Sequence, residues 1–161
     1  MDYLTMKWLH ILSSTILFGT GIGTAFYMFV ANRSGDLRAI SVVTRWVVRA
    51  DWVFTGSTVI FQPLSGWWMA QQAGFEFGFG LANTPLNWLG LTVLLYVMAG
   101  ACWLPVVWLQ IRMRDMAASA LASGHALPAR YWRYEKIWCV LGIPAFTSLV
   151  WVFHLMVVKT I

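Results

Sequence analysis

Four stretches of this chain carry no charged residue: 8–32, 52–75, 77–111 and 137–158. Each is rich in Leu, Ile, Val, Phe and Trp, and each can hold the roughly 20 residues that carry a helix across the hydrocarbon of a bilayer. Backbone amides in lipid have no water to bond, so these stretches must close their hydrogen bonds internally, as helices. The third gap is longer than one span. Gly74, Gly78, Gly80, Asn83 and Pro85 punctuate its approach, which puts the start of that helix near Leu86. The pattern predicts an all-α fold, a four-helix transmembrane bundle of up-down-up-down topology. The helices fall at about residues 3–30, 51–70, 86–113 and 131–159 of a single membrane domain, 1–161.

The polar breaks add detail. After the first helix, Val42, Val43, Trp46 and Val47 recur at helical spacing, which predicts an amphipathic stretch at the membrane surface. After the third, an alanine-rich run prolongs the helix until Gly124 stops it. Pro63 lies inside the second helix, where it removes a backbone donor, frees a carbonyl and favours a kink. Gly19 and Gly23 have the spacing that permits close helix approach. The glycine- and phenylalanine-rich loop at 71–85 either folds back over the helix ends as a lid or lies in the interface.

Composition supports the membrane class. Hydrophobic residues make up 60% of the chain and charged ones 11%, whereas a soluble domain carries about 25% charged residues. The first helix is too long for a signal-peptide core and lacks a small-residue cleavage site before Asn32, so it is expected to stay in the mature protein. The net charge is +5, and its placement matters more than its size. Arg33, Arg38, Arg45 and Arg49 lie in the first connection, and Arg112, Arg114, Arg130, Arg133 and Lys136 in the third, while the second has Glu76 and no basic residue. The positive-inside rule then places those two basic connections in the cytoplasm and both termini on the outer side of the membrane. Orientation and anionic headgroups account for the basic residues, so the lipid bilayer is the expected partner and nucleic acid is not. Cys102 and Cys139 differ in depth by roughly 9 Å and are not expected to pair.

Ionisable groups inside a membrane are costly, which singles out His10 and His154. Each lies roughly 4–8 Å inward of an interfacial lysine, Lys7 or Lys159. Two imidazoles on facing antiparallel helices suit one heme iron, although imidazole also suits copper and zinc. The surroundings fit such a site. Ser14 and the nearby Ser13 offer a partner for the second nitrogen of His10, Lys7 a partner for a propionate, and Trp151 a ring to stack on a flat ligand. Met6 is spaced i, i+4 from His10, which leaves copper as an alternative. His125 reads as a solvated loop residue. The chain has no CxxC, HExxH or glycine-rich phosphate loop, so hydrolase and nucleotide-binding readings have nothing to stand on.

Several segments resemble a family of predicted bacterial integral membrane proteins of unknown function, the DUF2269 type. They are KWLHILSS at Lys7 to Ser14, RADW at Arg49 to Trp52, QPLSG at Gln62 to Gly66, WLPVVWLQIRMRDMA at Trp103 to Ala117 and LMVVK at Leu155 to Lys159. More distantly the chain is similar to the HemJ-type protoporphyrinogen oxidase, a small four-helix heme b protein. Lys7 and His10, followed by Gly19 or Gly21, match the pattern of that enzyme's first helix. The resemblance implies that His10 ligates heme b. It departs at Thr92, four residues after Trp88, where that enzyme has a lysine associated with its activity. The expected function is a heme b protein with an electron-transfer or heme-linked redox role near the periplasmic face, exchanging electrons with quinone or a periplasmic partner. A HemJ-like oxidase and a non-catalytic anchor or assembly subunit are the alternatives. The aromatic and glycine-rich surface also suits a homo-oligomer.

Overall fold

The computed structural model describes residues 2–81 and 84–160; Asn83, one of the residues taken to punctuate the loop, lies outside them. The fold is helical. Helix α1 spans Tyr3–Ser34, α2 Leu37–Ala50, α3 Gly56–Gln72, α4 Trp88–Ser123 and α5 Ala129–Val158, and a π-helical turn, Asp51–Thr55, joins α2 to α3. Three of these helices, α1, α4 and α5, are long and apolar enough to cross a membrane.

Local chemistry sets the helix ends. Asp2 caps α1 by accepting from the Thr5 amide at 2.8 Å, Asp36 caps α2 through the Arg38 amide at 2.8 Å, and Asn87 caps α4 through the Gly90 amide at 2.9 Å. Gly35 and Gly124 end α1 and α4 in left-handed backbone, at φ 69° and 68°. The 36 residues of α4 amount to about 54 Å, well beyond the hydrocarbon thickness, so it projects from the bilayer.

The first connection is helical, as its spacing predicts, and extends further than expected. It is an ordered helix that runs on through the π-helical turn into α3 with right-handed helical backbone at both joints. Its apolar residues divide. Ile40, Val47 and Val48 are buried, whereas Val42 and Trp46 are exposed and Trp46 carries the Arg49 guanidinium over its ring at 4.9 Å. The reason is the reach of α4, whose projecting end gives α2 a protein surface to pack on.

The helices pair as two hairpins. α1 packs along α2 and α3, and α4 along α5; α2 also packs on α4, which ties the hairpins together at the arginine-rich end. The largest apolar core sits there, built from Met28, Ile40, Val47, Val106, Leu109, Met113, Ala117, Tyr131 and Trp138. No comparably close packing joins α3 to α4 or α1 to α5 among the described residues. In that half the hairpins meet through long side chains, with Phe18 against Phe146 and Phe153 at 5.1 and 5.2 Å between ring centroids. Large apolar residues such as Ile60, Leu64, Leu104, Val140 and Ile143 point outward, as lipid-facing residues should.

Pro63 has the expected consequence and an unexpected partner. It cannot bond the carbonyl four residues back, and that carbonyl, Val59 O, accepts from the Tyr96 hydroxyl of α4 at 2.8 Å. Tyr96→Phe is expected to cost about 1–3 kcal/mol by leaving Val59 O unpaired. Most of that cost should vanish in a Pro63→Ala background, where residue 63 regains an amide. Thermal unfolding in detergent checks this, and equal costs in both backgrounds would refute it.

The 73–87 loop folds back. Gly78 N donates to Asn87 Oδ1 at 3.1 Å, Asn87 N donates to Gly78 O at 3.2 Å, and Asn87 Nδ2 donates to Glu76 O at 2.8 Å. The Lys159 ammonium lies over Phe75 and Trp88, which tethers the end of α5 to the loop. The loop thus docks on the ends of α4 and α5.

Candidate functional site

Helical spacing selects what the second rod buries. Besides Val48 and Ala70, the buried positions from α2 through the π-helical turn to α3 are Ile40, Thr44, Val47, Asp51, Thr55, Thr58, Gln62 and Ser65. They recur every three or four residues, so they form one stripe. The stripe is apolar at its arginine-rich end and polar beyond Val47. Its last two members meet α1 at His10.

The Ser65 hydroxyl lies 2.7 Å from His10 Nδ1 and 2.7 Å from the Phe61 carbonyl. A serine has one hydroxyl hydrogen, and a carbonyl can only accept. When the hydroxyl donates to Phe61 O, it accepts from Nδ1–H of His10, and that arrangement leaves Nε2 its lone pair. Gln62 Nε2 donates to the His10 carbonyl at 2.8 Å and to Ser13 Oγ at 2.9 Å, which locks α1 to α3 at this level. Gly66 lies against the ring: a Cβ there would sit 3.4 Å from His10 Cε1, in van der Waals contact with it. Gln62, Ser65 and Gly66 share a face by their i, i+3, i+4 spacing, and that spacing is the signal in the sequence that could have named them as a unit.

The other expected site residues are placed differently. Ser14 donates to its own helix, at Ile11 O, 2.7 Å away, so Ser65 and not Ser14 serves the second nitrogen of His10. Ser13 joins the site through Gln62 rather than through the ring. Lys7 is exposed. His154 is exposed on α5, edge-on to Trp151 at 5.5 Å between centroids, and has no part in the hydrogen bonds around His10. Trp151 thus packs on the histidine it was expected to serve. Thr92 is buried and donates to Trp88 O at 2.8 Å. No group of three His, Cys, Asp or Glu side chains that could hold a metal ion comes together among the described residues.

A helical integral membrane protein with a histidine hydrogen-bonded between two helices is the class these features define. The family profile of predicted integral membrane proteins designated DUF2269 matches residues 4–160, and the chain belongs to that family. No curated protein and no solved structure matches it. Two of the segments that carry the family likeness, KWLHILSS and QPLSG, are the two sides of the His10 junction.

Proposed function

We propose that this protein binds heme b through Nε2 of His10 and serves an electron-transfer or heme-linked redox role in the bacterial inner membrane. The observation that carries the reading is the bond between His10 Nδ1 and Ser65, which leaves Nε2 its lone pair when Nδ1 carries the hydrogen. Histidines that ligate metals almost always donate their other N–H to a fixed acceptor, which sets the ring and raises its basicity. A metal held by side chains alone needs three or more ligands, whereas iron in a macrocycle needs only axial ones, and this donor set fits the second case. Bound heme would supply one-electron chemistry.

The chain's own residues do the rest. Ser65 and Gly66 fix the imidazole, and Gln62 holds the backbone of α1 against α3. Lys7, one turn before His10, offers an ammonium to an anionic substituent. His154, with Trp151 beside it, is the candidate for a second axial ligand. The reading places four crossings in the bilayer, with α3 and the π-helical turn as the second, and puts the arginine-rich end in the cytoplasm. His10 would then serve quinone or a periplasmic partner. Porphyrinogen oxidation is not part of the proposal, because Thr92 offers no ammonium.

Optical spectra of the purified protein test this. The wild type should show a Soret band, His10→Ala should lose it, and His154→Ala should change the spin state if His154 is the second ligand. A wild type expressed with ample heme, yet with no Soret band and no iron, would refute the proposal and leave an anchor or assembly subunit as the better reading.

A further inference from the structure

Asp51 is a carboxyl with no cation beside it. It opens the π-helical turn and is 5% exposed. Its Oδ1 accepts from the Thr55 hydroxyl at 3.2 Å. Gln110 of α4 lies close to the same carboxyl, and no hydrogen bond joins the two side chains among the described residues. Gln110 is 4% exposed and its Oε1 has no hydrogen-bond partner.

Every element packed on the turn lacks a charge that faces Asp51. α1 has none from Trp8 to Asn32, and α3 none at all. On α2, Arg45 and Arg49 are exposed, and Arg49 lies over Trp46. On α4, Arg112 is exposed over Trp108 at 5.5 Å, and Arg114 pairs with Asp115 at 2.7 Å. That last pair is the only salt bridge among the described residues. A buried carboxylate without a cation costs several kcal/mol. A buried amide oxygen without a donor costs about 1–3 kcal/mol. One proton removes both costs.

We propose that Asp51 and Gln110 form a reversible proton-binding site where α2 passes into α3. The proton comes from water at the arginine-rich end. The O–H bond forms on the Asp51 carboxyl and donates to Gln110 Oε1, while the amide N–H of Gln110 donates to the other carboxyl oxygen. Acid and amide then close a two-bond ring that the carboxylate cannot make. Release breaks the O–H bond, returns the proton to water and leaves the carboxylate with the Thr55 hydroxyl. No oxidant or reductant is involved, so the site stands whether or not His10 holds heme.

Infrared spectroscopy of protein labelled with carbon-13 aspartate, in nanodiscs, tests this. The chain has three other aspartates, Asp2, Asp36 and Asp115, and all are exposed. The expected result is an isotope-shifted carboxylic-acid C=O band at pH 5 that is lost in Asp51→Asn, converts reversibly to carboxylate bands at alkaline pH, and moves to higher frequency in Gln110→Leu. Should Asp51→Asn fail to fold, the Gln110→Leu shift and the alkaline titration carry the test on the intact carboxyl. Asp51 appearing only as carboxylate at pH 5 overturns the proposal. So does an acid band indifferent to Gln110→Leu. Carboxylate bands that respond to sodium but not to choline would show a metal-cation site instead, and overturn it as well.

Discussion

Gly90→Ala is expected to undock the 73–87 loop from the ends of α4 and α5. A Cβ at this position would overlap the Gly78 carbonyl, a backbone atom that no rotamer change can move. Gly78 is itself closely packed, since a Cβ there would overlap the Pro85 carbonyl and crowd the Asn87 side chain. Losing the contact takes with it the bonds between Gly78 and Asn87 and between Asn87 and Glu76. Three such bonds together contribute roughly 2–4 kcal/mol. Limited proteolysis should then cut within 73–87, and the unfolding temperature in detergent should fall. Gly100→Ala is the control, since a Cβ there meets nothing within 4 Å. It should be neutral, or stabilising by up to about 1 kcal/mol. Equal behaviour of the two variants would show that the loop does not dock on α4.

Ser65→Ala is expected to weaken heme binding by about 10–100-fold while the fold persists, the usual effect of removing the hydrogen bond behind a metal-ligating histidine. His10→Ala should abolish binding instead. The same substitution has a readout that needs no heme. Nitrogen-15 NMR of the imidazoles should show His10 protonated on Nδ1 in the wild type and shifted toward the other tautomer in Ser65→Ala. The chain has three histidines, so single substitutions at His125 and His154 complete the assignment. A wild-type His10 protonated on Nε2 would remove the free lone pair on which the ligand role depends.

Much of the site was open to a reading of the sequence, although in separate pieces. The expense of an ionisable group in hydrocarbon marks His10 without any knowledge of its neighbours. Gln62, Ser65 and Gly66 show their common face through spacing alone. Nothing local joins the two segments, because Ser65 lies 55 residues from His10 in the chain. Depth suggested His154 as the partner. Depth, however, says only how far along a helix a residue lies, and His154 is exposed beside Trp151 of its own helix, apart from the hydrogen bonds around His10. Asp51 was overlooked for a related reason. A charged residue at the edge of a charge-free run reads as an interfacial boundary. It is buried because α2 continues helically into α3, and the stripe of buried positions passes through it.

The sequence by itself determined the helical membrane class, the capped ends of α1 and α4, the asymmetric placement of charge and the importance of His10. Those follow from hydration and from interactions within a few residues, which act on any segment wherever it packs. Only the tertiary structure decided that α1 pairs with α3, that α2 rests on the projecting end of α4, and that Ser65 rather than Ser14 bonds Nδ1 of His10. Lipid facing a helix is uniformly apolar, so hydrophobicity cannot tell one outward face from another. The choice falls to steric fit and to hydrogen bonds across the interface, made here by Gly66, Gln62 and Ser65.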